Sequence, residues 1–120
     1  MRDISTNIIL GKSKQFALRC IKLYKHLEAE HEYVLSKQLL RSGTSIGANV
    51  KEAIRDQSRA DFGSKMNISL KEASESEYWL ELLYESNYIT EAQFNNIILD
   101  CRELIKILTS IVKTTFNPNS

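Results

Sequence analysis

The apolar residues of this 120-residue chain recur at intervals of three and four positions along almost its whole length. That spacing places them on one side of an α-helix. Short polar stretches divide the pattern into four segments, which predict helices over about residues 6–29, 36–57, 60–87 and 91–115. The tail at 116–120 contains the only proline and is expected to be flexible. The turn residues and alternating runs of paired strands are poorly represented, so the pattern favours helices throughout.

Short connectors between long helices place neighbouring helices antiparallel. We therefore predict an all-α protein, an antiparallel up-down-up-down four-helix bundle, in which residues 1–120 form one domain. Ser36 is a candidate N-cap of the second helix, because its hydroxyl could accept a hydrogen bond from a free backbone N–H. Thr90 and Gln93 have the spacing of a capping box at the start of the fourth helix.

Gly43 and Gly47 lie in the middle of the second predicted helix, four residues apart. Helical geometry puts residues at that spacing on the same face. Each glycine weakens the helix by itself, but together they form a flat strip that another backbone can approach closely. The pair predicts tight packing of two helices at this position.

The third helix has more apolar surface than its predicted core face uses. At about 100° per residue, Tyr78 and Leu82 fall nearly opposite that core face. Scattered exposed apolar residues are ordinary, but aromatic residues are enriched at the centres of interfaces. We therefore expect a homo-oligomer assembled through this helix, with Ile89 widening a candidate interface formed by Tyr78, Trp79, Leu82, Tyr84 and Tyr88.

The charge distribution adds a second candidate surface. The formal net charge is only +1, yet residues 1–65 carry twelve Lys or Arg against seven acids, and residues 66–120 carry four against eight. The first helix has no acid between Lys12 and Leu27. This pattern is typical of a solvated charged face, or of a ridge that contacts phosphates. The candidate nucleic-acid contacts are Lys12, Lys14, Arg19, Lys22, Lys25, Arg41 and Arg55, with Lys51 and Arg59 as extensions.

Candidate chemistry is sparse. Glu28 and His31 have the Glu-x-x-His spacing of helical di-iron sites, but a second copy and further inward carboxylates are missing, so we expect no metal and no cofactor. Cys20 and Cys101 fall at apolar helical positions and are expected to be buried and reduced. Without a nucleophile–base pair or a phosphate-binding loop, an enzyme is not expected. No signal sequence or membrane span is recognisable, so the expected location is the cytoplasm, with no membrane partner.

The stretch from Ser36 to Glu52, followed by Phe62 and an acidic pair, resembles the bacterial four-helix-bundle proteins encoded in intervening sequences of 23S ribosomal RNA genes. The likeness extends from about Leu10 to Lys113 and includes a relative, the accessory variability determinant of diversity-generating retroelements. It implies a four-helix protomer, a five-fold ring and no catalytic activity. In the retroelement branch it implies binding to nucleic acid and to a reverse transcriptase.

Five polar residues match the family's motif and are expected to form a polar layer between helices or at a subunit boundary: Ser45, Asn49, Glu52, Glu75 and Glu77. The chain has Gly47 where the family often has proline, and Ala53 where it often has glycine, so a kink in the second helix should be milder. We expect a non-enzymatic homo-oligomeric interaction protein, a pentamer by resemblance, that binds RNA, DNA or a reverse transcriptase-like protein. The alternative is a scaffold that binds only proteins.

Overall fold

The computed structural model describes residues 4–118, and these residues form four long helices and no strand. The helix ends lie within two residues of the positions expected from the sequence. Residues 119 and 120 of the expected flexible tail lie outside the described residues, whereas Phe116 is the last residue of a helix. The helices are α1 (Ile4–Ala29), α2 (Leu35–Arg55), α3 (Arg59–Glu85) and α4 (Glu91–Phe116).

The helices pack in chain order, α1 on α2, α2 on α3 and α3 on α4, while α1 and α4 close the bundle with looser packing. The result is a rod with extents of 47 × 23 × 19 Å. The core is apolar along its length, with residues such as Phe16, Ile46 and Leu80 almost fully buried. The predicted antiparallel four-helix bundle is confirmed.

Two helices begin as side-chain chemistry predicts. Thr90 Oγ1 accepts a hydrogen bond from the Gln93 N–H at 3.1 Å, and Gln93 Oε1 accepts from the Thr90 N–H at 2.8 Å. This reciprocal pair confirms the capping box. At α3, Ser58 Oγ accepts from the Asp61 N–H at 3.0 Å, which satisfies one of the free donors of the first turn.

The start of α2 differs from the prediction. The helix begins one residue before Ser36, so Ser36 lies inside the first turn and the buried carboxylate of Glu32 takes the capping role. Its Oε1 accepts from the Ser36 N–H at 2.6 Å, while Oε2 accepts from the N–H groups of Val34 and Leu35 at 3.1 and 3.0 Å. Burial alone would raise the pKa of Glu32, but these backbone donors hold it below its ordinary value.

The glycine strip of α2 faces α1, so the predicted tight packing of two helices at this position is confirmed. A β-carbon at Gly43 would lie 2.4 Å from Cys20 Sγ, and one at Gly47 would lie 3.2 Å from Ser13 Oγ. The missing side chains therefore let α1 approach the backbone of α2 closely. They also fix the antiparallel alignment, because Gly43 is level with Cys20 and Gly47 with Ser13.

Small polar residues line the contact between α2 and α3. Ser42 Oγ and Ser76 Oγ are 2.7 Å apart, and Ser69 Oγ donates to the Ile46 carbonyl oxygen at 2.8 Å. All three serines are fully buried. Since every buried hydroxyl has a partner, these serines allow close helix packing without an unpaired polar group.

Candidate nucleic-acid interface

The outward sides of α1 and α2 carry a positive surface, which we call the basic face. It consists of six exposed cations: Lys14, Lys22, Lys25, Lys37, Lys51 and Arg55. Within residues 4–118, no ion pair or side-chain hydrogen bond joins any of the six to another residue. Their charges are therefore available to a ligand.

Few acids lie near these cations. In α1 the single acid is Glu28, and in α2 it is Glu52, which approaches Lys65 of α3 at 3.8 Å on the other side of the helix. The two helices together thus concentrate unneutralised positive charge in a chain whose net charge is only +1. A concentration of one sign on one surface produces a local positive potential despite the near-neutral total.

The packing of α1 on α2 arranges the cations at two levels of the rod. The alignment set by Gly43 and Gly47 puts Lys37 level with Lys25 and puts Lys51 within two turns of Lys14. Eleven residues separate Lys14 from Lys25, or about 16 Å of helix. The basic face therefore presents two groups of charges spaced along the bundle axis, not one point of attraction.

Three of the cations expected from the sequence are neutralised within the bundle. Lys12 pairs with Glu103 at 3.0 Å, Arg19 pairs with Asp100 of α4, and Arg41 pairs with Glu72 at 3.2 Å and also with Glu75. These pairs connect α1 to α4 and α2 to α3. Their cations contribute to packing between helices and are less available to a phosphate than the unpaired lysines. Arg59, the other expected extension, is exposed at the first position of α3.

Sequence reasoning missed Lys37 and kept Lys51 only as an extension. The signal was present, because Lys37, Lys51 and Arg55 are 14 and 4 residues apart and so fall on the same side of a helix. Lys37 was overlooked because the basic surface was assumed to follow the acid-free stretch of the first helix.

The outer side of α3 presents a second surface, which we call the α3 patch: Tyr78, Trp79 and Leu82. Tyr78 is 54% exposed and Leu82 is half-buried. Trp79 lies partly against the core and donates its indole N–H to Glu75 Oε1 at 3.2 Å. The rings of Tyr78 and Trp79 pack at a centroid distance of 5.3 Å and form the aromatic centre of the patch.

Three residues that were expected in this interface or beside it have other positions. Tyr84 stacks on Phe94 at 4.6 Å and so belongs to the contact between α3 and α4. Ile89 is buried in the core, contrary to the expectation that it would extend the patch. Tyr88 is 43% exposed, but it lies in the connector before α4 at the end of the rod.

The motif residues of α2 do not form a polar layer inside the bundle. Glu52 is exposed, and Ser45 and Asn49 are half-buried with hydrogen bonds to carbonyl oxygens of their own helix. The buried polar residues between α2 and α3 are instead Ser42, Ser69 and Ser76. A position at a subunit boundary therefore remains a prediction for Ser45, Asn49 and Glu52.

The acidic pair of the motif also points away from the interior. Glu75 is held by Arg41 and Trp79, while Glu77 accepts from Arg102 Nε at 2.9 Å. These contacts neutralise both carboxylates and connect α3 to its two neighbours. They provide no isolated carboxylate pair for acid–base chemistry.

The two cysteines lie in the core. Burial raises the pKa of Cys20 to about 12, and burial with the negative charge of Glu77 raises the pKa of Cys101. Both thiols therefore stay protonated and poorly nucleophilic. Among residues 4–118, no three His, Cys, Asp or Glu side chains are grouped so that they could hold a metal ion. Within the same range, no helix is long and apolar enough to cross a membrane.

The fold and its surfaces define a small, rod-shaped four-helix-bundle protein with one basic side. The sequence model of the 23S rRNA-intervening sequence protein family matches residues 5–110. The chain belongs to that family, which confirms the resemblance carried by the α2 motif. The family has no established function, so membership supports the fold and leaves the activity to be argued from the surfaces.

A crystal structure of a protein of unknown function from the S23 ribosomal protein family of Bacteroides thetaiotaomicron is similar to this chain over nearly its whole length. The two are 54% identical, the match covers 92% of this chain and 100% of the other, and the TM-score is 0.90. No curated protein matches this chain.

Proposed function

We propose that this protein is a non-enzymatic, self-associating bundle that binds structured nucleic acid through the basic face. The observation that supports the proposal most directly is the set of six exposed cations on α1 and α2 that have no acidic partner among residues 4–118. Lysine and arginine side chains that neutralise phosphates release counterions, and this release drives binding without reading the base sequence. Binding of this kind should depend on shape and charge and should weaken steeply with salt.

Self-association would strengthen such binding. A bundle that presents one basic face per subunit repeats that face around an assembly, so weak contacts act together through avidity. The α3 patch is the proposed contact between copies, with the half-buried motif residues of α2 near the same boundary. The family resemblance adds the further proposal of a five-fold ring in the cytoplasm, with an RNA, a DNA or a reverse transcriptase-like protein as partner.

The first experiment reverses charge on the basic face. The triple variant Lys14→Glu, Lys22→Glu, Lys25→Glu is compared with a control in which three exposed, unpaired lysines elsewhere are changed in the same way. The control positions are Lys71, Lys106 and Lys113. Binding of a structured RNA and of a DNA duplex is measured by fluorescence anisotropy at several salt concentrations.

We expect the basic-face triple to lose most binding and the control triple to lose much less. If all three lysines contact phosphates, the slope of log affinity against log salt should fall by about 2 to 3. Equal losses in the two triples would show a general charge effect and would refute the basic face as the site. Absence of binding at low salt would support the alternative function, a scaffold that binds only proteins.

The second experiment tests self-association through the α3 patch. Leu82→Asp is compared with Leu99→Asp, since Leu99 is 67% exposed on α4 and lies away from the patch. Light scattering after gel filtration should show an oligomer for the unaltered chain and for Leu99→Asp, and smaller species for Leu82→Asp. A concentration-independent monomer for the unaltered chain would rule out the oligomer, and thermal unfolding of each variant checks that it is folded.

A further inference from the structure

A groove of about 390 Å³ lies between α1 and α4, the pair of helices with the loosest packing. Its size falls in the range of small-molecule sites. It is separate from most of the basic face, because Lys22 is the one residue of that face among the residues that line the groove. Its base is apolar, formed by the side chains of Leu23 and Ile97.

One rim of the groove carries three basic side chains, all from α1. Arg19, Lys22 and His26 are three and four residues apart on α1, so they fall on the same side. Arg19 is neutralised by Asp100, but neither Lys22 nor His26 has an acidic partner among residues 4–118. Among residues 4–118, no carboxylate lines the groove.

The opposite rim carries two amides from α4 whose oxygen atoms are already used. Gln93 Oε1 accepts from the Thr90 N–H at 2.8 Å in the capping box, and Asn96 Oδ1 accepts from Arg19 at 2.6 Å. Each amide therefore keeps its NH₂ group as a donor, and no described residue accepts from either. The groove thus presents hydrogen-bond donors on both rims above an apolar base.

From this arrangement we infer that the groove binds a small phosphate monoester with an apolar or aromatic body. Two amide donors, the Lys22 ammonium and the His26 ring suit the three terminal oxygens of a phosphate. The Lys22 ammonium would balance part of the charge of about −1.5 to −2 that a phosphate monoester carries near pH 7. The body of the ligand would lie on Leu23 and Ile97.

The experiment uses phenyl phosphate as the probe, with inorganic phosphate and benzoate as comparison ligands, in isothermal titration calorimetry and in NMR titrations of the whole chain. We expect one saturable site per chain for phenyl phosphate, with a dissociation constant of about 1 mM or lower. Inorganic phosphate lacks the apolar body and benzoate lacks the third oxygen, so each should bind about tenfold more weakly.

The decisive variant is Gln93→Glu. A glutamate at this position still completes a capping box, so the helix start is kept, but a donor in the groove becomes a negative charge. Phenyl phosphate should bind about tenfold or more weakly to this variant. Ala92→Glu is the matched control, because it adds the same charge to the neighbouring exposed position, and its affinity should be almost that of the unaltered chain.

Several outcomes would overturn the inference: no saturable binding of phenyl phosphate, equal weakening by Gln93→Glu and Ala92→Glu, or equal affinity for benzoate. The double variant Lys14→Glu, Lys25→Glu distinguishes this site from the basic face, since both residues lie outside the groove. It should weaken nucleic-acid binding and leave phenyl phosphate binding in place. Loss of both together would assign the phosphate signal to the basic face and refute a separate site.

Discussion

Replacing Gly43 with alanine should destabilise this protein, although alanine is the better helix former. A β-carbon at this position would lie 2.4 Å from Cys20 Sγ and 3.1 Å from Cys20 Cβ. Cys20 is fully buried, so its sulfur cannot move away into solvent. Gly11 is the natural control, because it lies in the exposed part of α1 with nothing within 4 Å of the added carbon.

The magnitudes come from two opposing effects. Alanine gains about 1 kcal/mol over glycine in a helix interior, and overpacking a core typically costs about 1 to 3 kcal/mol. Gly11→Ala should therefore raise the free energy of unfolding by about 1 kcal/mol, whereas Gly43→Ala should lower it by up to about 2 kcal/mol. For a chain of this length, 1 kcal/mol corresponds to roughly 4 °C in the unfolding temperature.

A double-mutant cycle with Cys20→Ala isolates the cause. Without the sulfur, the nearest atoms to the new carbon would be the β-carbon of residue 20 and Phe16 Cε2, at 3.1 and 3.6 Å. Gly43→Ala should then become neutral or stabilising, with a coupling of about 1 to 3 kcal/mol between the two sites. The assay is urea unfolding followed by circular dichroism at one fixed protein concentration, because self-association shifts the midpoint.

Equal stabilisation of the chain by Gly43→Ala and Gly11→Ala would refute the predicted clash with Cys20. An unchanged cost of Gly43→Ala in the Cys20→Ala background would refute it as well. Either result would mean that α1 does not rest on the glycine strip of α2.

Two further predictions concern buried ionisable groups. Glu32→Gln should lower the free energy of unfolding by about 1 to 2 kcal/mol at pH 7, while Glu30→Gln, at an exposed neighbouring acid, should have little effect. The folded state lowers the pKa of Glu32, so the stabilisation by its carboxylate is complete above the ordinary pKa of 4.5 and is lost as the pH falls through the lowered pKa. The urea midpoints of Glu32→Gln and of the unaltered chain should therefore converge at low pH. Midpoints that stay apart would contradict this prediction. Cys20 and Cys101 should resist a thiol-specific reagent at pH 8 and react fully in denaturant, since burial keeps both protonated; rapid labelling of the native chain would show that the core opens.

Most of the fold could be predicted because local signals and the apolar pattern agree. The capping box at Thr90 and the paired glycines of α2 depend on short spacings that are visible in one sequence. The start of α2 was missed for a physical reason. A serine just before a helix is a usual N-cap, and Ser36 has that position in the sequence. Glu32 can accept from three backbone N–H groups only because of the conformation of the turn that precedes α2, and no spacing rule predicts that conformation.

The candidate site was less predictable, because charge in a sequence does not show which charges are paired. Arg19 and Arg41 belong to cation-rich segments, yet each lies opposite an acid of another helix that is 31 to 81 residues away in the chain. Only the packing separates such neutralised cations from Lys14 or Lys51. The orientation of the Gln93 and Asn96 amides is likewise a product of partners brought together by folding.

The first and last helices, α1 and α4, pack more loosely on each other than the other neighbouring helices do, so their contact is the weakest border in the bundle. Fluctuations of the native state should begin along that border, where opening exposes the least apolar area. Amide hydrogen exchange would then be fastest on the facing sides of these two helices. A small molecule bound between them would hold the two helices together. Its binding would then slow the amide hydrogen exchange of the entire bundle.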